Sequence, residues 1–210
     1  MMNDTYYIQD NGQQTGPYTL KELFELDLDV DTMVLTPGNE QWQEASYVPE
    51  LFEYFEQQGI YLPTEGNLAS FWIRLLAYVL DLFLISIVLS IVAQDYIMQL
   101  SKTFYAENPT PEQAIERFKY SMALYVLLAL YNTLCESTPM RGSIGKKLCR
   151  LAVVDADGQR LGVGRALLRN FVKILSSLPL NIGFLPILWN ERRQAWHDRI
   201  AKTYVIRRDV

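Results

Sequence analysis

Histidine and cysteine are the scarcest chemistry-bearing residues here: one His and two Cys in 210 residues. Cys135 ends a hydrophobic run and Cys149 lies in a basic stretch. They form no disulfide framework, and neither stands with a histidine at metal-ligand spacing. Both read as small hydrophobes, and no metal site or cofactor is expected. A phosphate-cradling loop is missing too. Gly142-Ser143-Ile144-Gly145-Lys146-Lys147 lacks both the spacing and the hydroxyl after the lysine. Ser176-Ser177 have no base beside them in the sequence, so no hydrolase is argued and the chain is not read as an enzyme. Positive charge is almost absent from residues 1–66, which hold 13 acids against Lys21 alone, net −12. A front this acidic lacks the basic footprint that nucleic acid requires, and its acids read as solubilising. The opening MMNDTYYIQD has neither the basic n-region nor the apolar run of a signal peptide, so the front is expected to stay in the cytoplasm.

What the chain does have is a long apolar stretch, Ala69 to Ala93, in which only Arg74 and Asp81 carry charge. At about 1.5 Å per helical residue it crosses a hydrocarbon core of roughly 30 Å. Phe71-Trp72 forms an interfacial flank. Each ionised residue costs about 2.5–3.5 kcal/mol at a bilayer centre, so both should face protein or water. Arg74 and Asp81 are two turns apart on one helix face, about 10 Å along the axis. That is too far for a comfortable direct pair, so a third partner is expected.

A second apolar run, Tyr120 to Cys135, is short for a span and must draw on its flanks. The stretch from Glu136 to Lys173 is basic, net +5, and under the positive-inside bias stays in the cytoplasm. Within it, LCRLAVVDADGQRLGV reads as a β-hairpin turning at Asp157-Gly158. Gly164 to Ser177 reads as a helix with Arg165, Arg169 and Lys173 on one stripe, the pattern of a helix lying among lipid headgroups. The run Leu178 to Trp189, broken by Pro179, Asn181, Gly183 and Pro186, suits a re-entrant or interfacial segment. The tail 191–210 is basic, net +3, and is placed in the cytoplasm as well. A single helix from Phe171 to Asn190 is the competing model and would put the tail outside.

Ahead of the membrane part, TYYIQDNG reads as an aromatic-rich strand closed by Asn11-Gly12, and Gly16-Pro17-Tyr18 as a further turn. Thr19 with Glu22 makes a capping box for a helix bearing Leu20, Leu23, Phe24 and Leu26. A second strand over 32–35 and a short helix from Pro49 complete a domain of about 50 residues, near the lower size at which one core holds alone. Residues 57–67 are a linker.

The segment YYIQDNGQQTGPYTLKELF with TMVLTPGNEQWQEAS resembles the GYF-like domain of bacterial membrane proteins. Eukaryotic relatives bind proline-rich peptides on aromatic pockets. The resemblance makes Tyr7, Tyr18 and Trp42 the candidate aromatics, with the core of a small domain as the plainer reading of all three. FWIRLLAYVLDLFL, RGSIGKKLCRLAVVDADGQRLGVGRALLRN and RRQAWHDRIAKTYVI resemble the RDD family of small membrane proteins. The family's one arginine and two aspartates map onto Arg74, Asp81 and Asp198, which supplies the expected third partner. His197, next to Asp198, either tunes that carboxylate's proton affinity or, the weightier reading, is a satisfied interfacial histidine.

The expected fold is thus a small α+β N-terminal domain (1–56), a linker (57–67) and an α-helical polytopic membrane domain (68–208). That domain has two spans plus a re-entrant or third hydrophobic segment and a cytoplasmic β-hairpin. The resemblance implies a bacterial-type inner membrane protein that transports an ion or small solute, with lipid around it and a protein or proline-rich peptide at the GYF-like domain. The alternative is a non-transporting anchor that presents that domain to a partner. Two spans are few for a solute path, so transport implies a homo-oligomer.

Overall fold

The computed structural model describes residues 5–10, 12–94, 98, 101, 110–177 and 182–208. The Asn11 half of the first turn and the segment Leu178 to Asn181, with Pro179, lie outside them, as does most of 95–109. The chain divides into two compact units, Met1–Leu62 with Ala156–Gln159, and Pro63–Asp155 with Arg160–Val210.

The first unit is built on a four-stranded antiparallel sheet. Its strands are β1 (Tyr6–Asp10), β2 (Gln13–Tyr18), β3 (Met33–Leu35) and β4 (Gln43–Glu44), in the order β2-β1-β3-β4. Gly16-Pro17-Tyr18 is not the separate turn expected of it. It continues β2 beside a register shift between Tyr6 and Ile8. Gly16 sits at φ +124, and a Cβ there would stand 2.9 Å from the Tyr6 carbonyl oxygen, so only glycine passes at this point. Helix α1 (Leu20–Phe24) starts at Thr19, whose hydroxyl accepts from the Glu22 amide while the Glu22 carboxylate accepts from the Thr19 amide. Turns of 3-10 helix at Ala45–Tyr47 and Pro49–Leu51 lead into α2 (Phe52–Gln57). Leu23, Val34, Val48, Leu51 and Phe55 are fully enclosed and form the core. Tyr54 joins them because its hydroxyl is satisfied inside. It donates to the Leu26 carbonyl at 2.8 Å and accepts from the Leu28 amide at 3.0 Å.

The second unit is organised around two long helices, α3 (Phe71–Val92) and α4 (Pro111–Glu136). Among the described residues α3 is the one helix long and apolar enough to cross a membrane, and only 11% of its most apolar window is buried. Val79, Phe83, Val88, Ile91 and Val92 all face outward. A core helix of a water-soluble fold would hide them. Helix α4 is longer than the apolar run that defines it. Thr110 caps it reciprocally with Gln113, Pro111 opens it, and its 26 residues span about 39 Å. The first turns carry Glu112, Glu116, Arg117 and Lys119, so the apolar part fills only the later length.

Beyond α4 come α5 (Ile144–Leu148), β5 (Leu151–Asp155), α6 (Val163–Ser177), 3-10 turns at Ile182–Leu188, α7 (Trp196–Ala201) and β6 (Thr203–Arg207). The expected β-hairpin is not what β5 forms. Only an isolated bridge, Val154 to Arg160, starts a return strand, and α6 begins three residues later. β5 pairs instead with β6, antiparallel, from Leu151 opposite Arg207 to Asp155 opposite Thr203. Residues 67–69 extend this ladder, with the Ala69 amide donating to the Val205 carbonyl at 2.9 Å. Leu151, Ala152, Val153 and Val154 are all buried, the mark of a strand covered on both faces. A single helix from Phe171 to Asn190 is not formed either, because 182–188 winds as 3-10 turns around Pro186.

Helix α6 reverses the orientation expected of it. Val163, Leu167, Leu168, Phe171 and Leu175 are exposed, while Arg169 is 2% exposed. Arg169, the middle of the stripe, turns inward because Glu136 and Asp198, the carboxylates that neutralise it, are inside.

Candidate functional site

Arg74 lies in the first turn of α3, where residues 67–69 on the edge of β6 bring backbone carbonyls within reach. Its Nη1 donates to Asp198 Oδ2 at 2.8 Å, its Nε to the Ala69 carbonyl at 3.1 Å, and its Nη2 to the Arg193 carbonyl at 2.7 Å. Asp198 is completely buried and also caps α7 by accepting from the Ala195 amide at 3.2 Å.

Asp198 has a second guanidinium. Arg169 of α6 donates to Asp198 Oδ1 from Nε at 3.0 Å and Nη2 at 2.7 Å. The same guanidinium reaches Glu136, the last residue of α4, from Nη1. Glu136 is fully buried and accepts in addition from Lys146 Nζ and, at 2.8 Å, from Asn170 Nδ2. Lys146 also donates to Asn132 Oδ1 at 3.1 Å. The result is one buried chain: Arg74, Asp198, Arg169, Glu136, Lys146. Desolvation pushes the Asp198 carboxyl up, but the charges of Arg169 and Arg74 and the hydrogen bond from Arg169 outweigh it and hold the group well below the usual carboxylate range.

Asp81 does not join that chain. Its partners are the Ser143 hydroxyl, the Gly145 amide at 2.8 Å and the Tyr131 hydroxyl at 3.1 Å. Tyr131 in turn accepts from the Ile144 amide at 2.9 Å. Asp81 therefore anchors the start of α5 against α3. A Cβ on Gly145 would stand 2.2 Å from the Ala77 carbonyl oxygen, so the close approach depends on glycine. The Gly-Ser-Ile-Gly stretch that fails as a phosphate loop is thus the receptor for a buried carboxylate of α3.

Of the stripe Arg165, Arg169 and Lys173, only Arg165 is at the surface, paired with Asp155 at 2.9 Å. Arg169 belongs to the buried chain. Lys173 is partly buried with its Nζ 5.3 Å from the centre of the Tyr78 ring. Burial, with Lys146 and Arg169 nearby, pushes its pKa down to about 7. Periodicity gave the stripe but not the direction it faces. Arg169 is named in the sequence, but for the headgroups and not for a buried ion chain; Glu136 and Lys146 are not singled out there, and the signal that could have found them is the same that singled out Arg74: charge next to long apolar runs.

A cavity of about 360 Å³ opens among these groups, walled by Arg74, Asp81, Lys146, Arg169 and Lys173 together with apolar side chains of α3, α4 and 184–187. His197 closes part of the wall, edge-on to Phe184 with ring centres 5.1 Å apart. Burial, with Arg169, Lys173 and Arg74 adding repulsion against the pull of Asp198, brings its pKa down to about 3, so the imidazole is neutral.

In the first unit, Tyr7, Tyr18 and Trp42 are half-buried and outside the fully enclosed core. The rings of Tyr7 and Tyr18 flank Gly16, at 3.0 and 3.3 Å from where its Cβ would be. Extending the β3–β4 register by one residue sets Trp42 opposite Leu35, which pairs with Tyr7.

Comparison with known proteins matches residues 6–51 to GYF domain 2 and residues 68–202 to the RDD family. The chain is 33% identical over 150 residues to the uncharacterized protein YxaI of Bacillus subtilis (strain 168), covering 66% of this chain and 96% of that protein. It is 26% identical over 155 residues to the proline-rich antigen of Mycobacterium leprae (strain TN), covering 68% of this chain and 61% of that protein. No solved structure matches. The buried Arg74–Asp198 pair and the anchored Asp81 therefore belong to a membrane protein of the RDD family that carries a GYF-like domain at its N-terminal end.

Proposed function

We infer that this protein is a multi-pass protein of a bacterial-type inner membrane. It crosses the bilayer with α3 and α4, keeps both termini in the cytoplasm, and moves a small charged solute or ion through the cavity of its membrane unit. One observation carries this reading: the cavity of about 360 Å³ has Arg74, Asp81, Lys146, Arg169 and Lys173 on its wall. Ionisable groups at membrane depth are costly, and they mark substrate and ion pathways. Two crossings enclose little by themselves, so the transporting form is an oligomer. The GYF-like domain docks a proline-rich segment of a partner on Tyr7, Tyr18 and Trp42.

A second reading, a membrane anchor that only displays the GYF-like domain, is favoured by the full satisfaction of Asp81, Glu136 and Asp198. Each accepts from at least three donors, as a fixed packing network requires. Gradient-driven flux into vesicles holding the full chain separates the two. Flux in wild type that falls in a folded Asp81→Asn variant supports transport; no flux in wild type leaves the anchor. A reporter fused after Val210 that is active only on the exported side rejects the proposed topology.

A further inference from the structure

Within the membrane unit, α6 has two unlike faces. At about 100° per residue, Val163, Leu167, Leu168, Phe171 and Leu175 fall within an arc of about 140°, and no charged residue falls among them. All five are exposed, Leu175 at 64%. Arg165, Arg169 and Lys173 occupy the opposite side, where Arg165 pairs with Asp155 and Arg169 with Glu136 and Asp198. Helix α6 has 15 residues, about 22 Å, too short for a hydrocarbon core of roughly 30 Å. It cannot cross a bilayer, so its apolar face has to be met from the side.

The turns that follow repeat the arrangement with a different period. Ile182, Leu185 and Leu188 are exposed and stand three apart, the repeat of a 3-10 helix, so they form one ridge. Gly183 and Pro186, one position on, are buried. A Cβ on Gly183 would stand 2.6 Å from Ser176 Cβ, so the ridge is seated against the end of α6.

Beyond the ridge the side chains change character. Trp189 is exposed at 69%, Trp196 and Ile200 are exposed as well, and so are Arg192 and Arg199 between and after the two tryptophans. Tryptophan with arginine is the composition of a bilayer interface, the ring at headgroup level and the guanidinium among phosphates. Over 182–200 the exposed charged residues are Glu191, Arg192, Arg193 and Arg199, so positive charge prevails. That charge decides what covers the face. A second copy would bring the same bases with it, like charge toward like, whereas an anionic leaflet meets them with phosphates.

We propose that α6 and the 182–188 ridge lie in the plane of one leaflet, with their apolar face among the acyl chains, Trp189 and Trp196 at headgroup level, and Arg192 and Arg199 on the phosphates. In the topology inferred above that leaflet is the cytoplasmic one. The inference rests on the bilayer placement in that reading and not on transport. The leucines, not the basic stripe, are the part of α6 that meets lipid.

The test is spin-label accessibility in the full chain, with Cys135 and Cys149 changed to alanine, in vesicles of phosphatidylcholine and phosphatidylglycerol. One nitroxide is attached in each of Leu168→Cys, Leu175→Cys, Leu188→Cys and Arg199→Cys, with Val88→Cys as the marker of α3. Labels in the three leucine variants should relax several-fold more with oxygen, which concentrates among acyl chains, than with a water-soluble nickel chelate. The order should reverse in Arg199→Cys. Leucine-site labels that meet nickel as readily as the Arg199→Cys label lie in water, and labels closed to both reagents are covered by protein; either result overturns the proposal. A Val88→Cys label that still favours oxygen then keeps the α3 crossing, and one that meets nickel removes the crossing too. Fluorescence gives a reading without cysteine changes. With Trp42, Trp72 and Trp196 replaced by phenylalanine, Trp189 should be quenched by lipid brominated near the headgroup end of its acyl chains. Unquenched emission overturns the proposal as well.

Discussion

Arg74 and Asp198, separated by 124 residues, meet at 2.8 Å in the interior of the membrane unit. Neither can be neutralised alone. Asp198 also binds Arg169, so its loss takes the only carboxylate from Arg74 and one of two from Arg169, whereas loss of Arg74 leaves Asp198 with Arg169.

Asp198→Asn should therefore cost more than Arg74→Gln. Breaking a buried pair from one side costs about 3–5 kcal/mol, and the aspartate variant should fall at or above the upper end. Thermal unfolding of the purified protein in mild detergent measures the order; an Arg74 variant that is the less stable of the two would contradict it.

Gly145→Ala should destabilise by about 1–3 kcal/mol, because the new Cβ meets the Ala77 carbonyl oxygen and the Asp81 carboxylate. Gly164→Ala, where nothing lies within 4 Å, should be neutral or stabilising by up to about 1 kcal/mol. The same unfolding measurement on the two variants reads the contrast.

His197 is the sole histidine, so its imidazole signals are unambiguous in an NMR titration. With its pKa brought down to about 3, chiefly by burial, they should not move between pH 8 and 5. An unfolded imidazole takes its proton near pH 6.5. The unfolded state thus binds the extra proton first, so this contribution to stability is intact above about pH 6.5 and is lost as pH falls toward 3. A titration midpoint above pH 5.5 would contradict the burial of this ring.

Trp42→Ala should weaken binding of a proline-rich peptide to the full chain at least tenfold, and Tyr54→Phe should leave it unchanged. Tyr54 works inside the domain, through the Leu26 and Leu28 backbone. The phenylalanine variant should instead lose about 1–3 kcal/mol of stability, since a buried donor and acceptor are left unmet. Peptide titration by fluorescence anisotropy, beside the unfolding curve, checks both halves.

Local features were legible from the residues themselves. Thr19 and Glu22 cap α1 as their three-residue spacing requires, and the apolar run after Ala69 became α3. Contacts across long separations were not. No periodicity links Arg74 to Asp198; only the family resemblance put them together. The strand Leu151–Asp155 was recognised, but its partner is fixed by the tail, and a sequence shows a strand's faces without its neighbour. Arg169 marks the same boundary. Its spacing with Arg165 and Lys173 shows a stripe, while the side it takes depends on where Glu136 and Asp198 end up.

The distance along the chain between Arg74 and its carboxylate has a consequence for biosynthesis. At about 5–20 residues per second, translation of the intervening 124 residues takes roughly 6–25 s. For that interval the newborn first helix carries a guanidinium whose counter-charge has not yet left the ribosome. With α3 crossing the bilayer as proposed, the insertion machinery, or a water-filled pocket beside it, has to shelter that arginine until Asp198 arrives. A message cut short before codon 198 then yields a product with no means of releasing it.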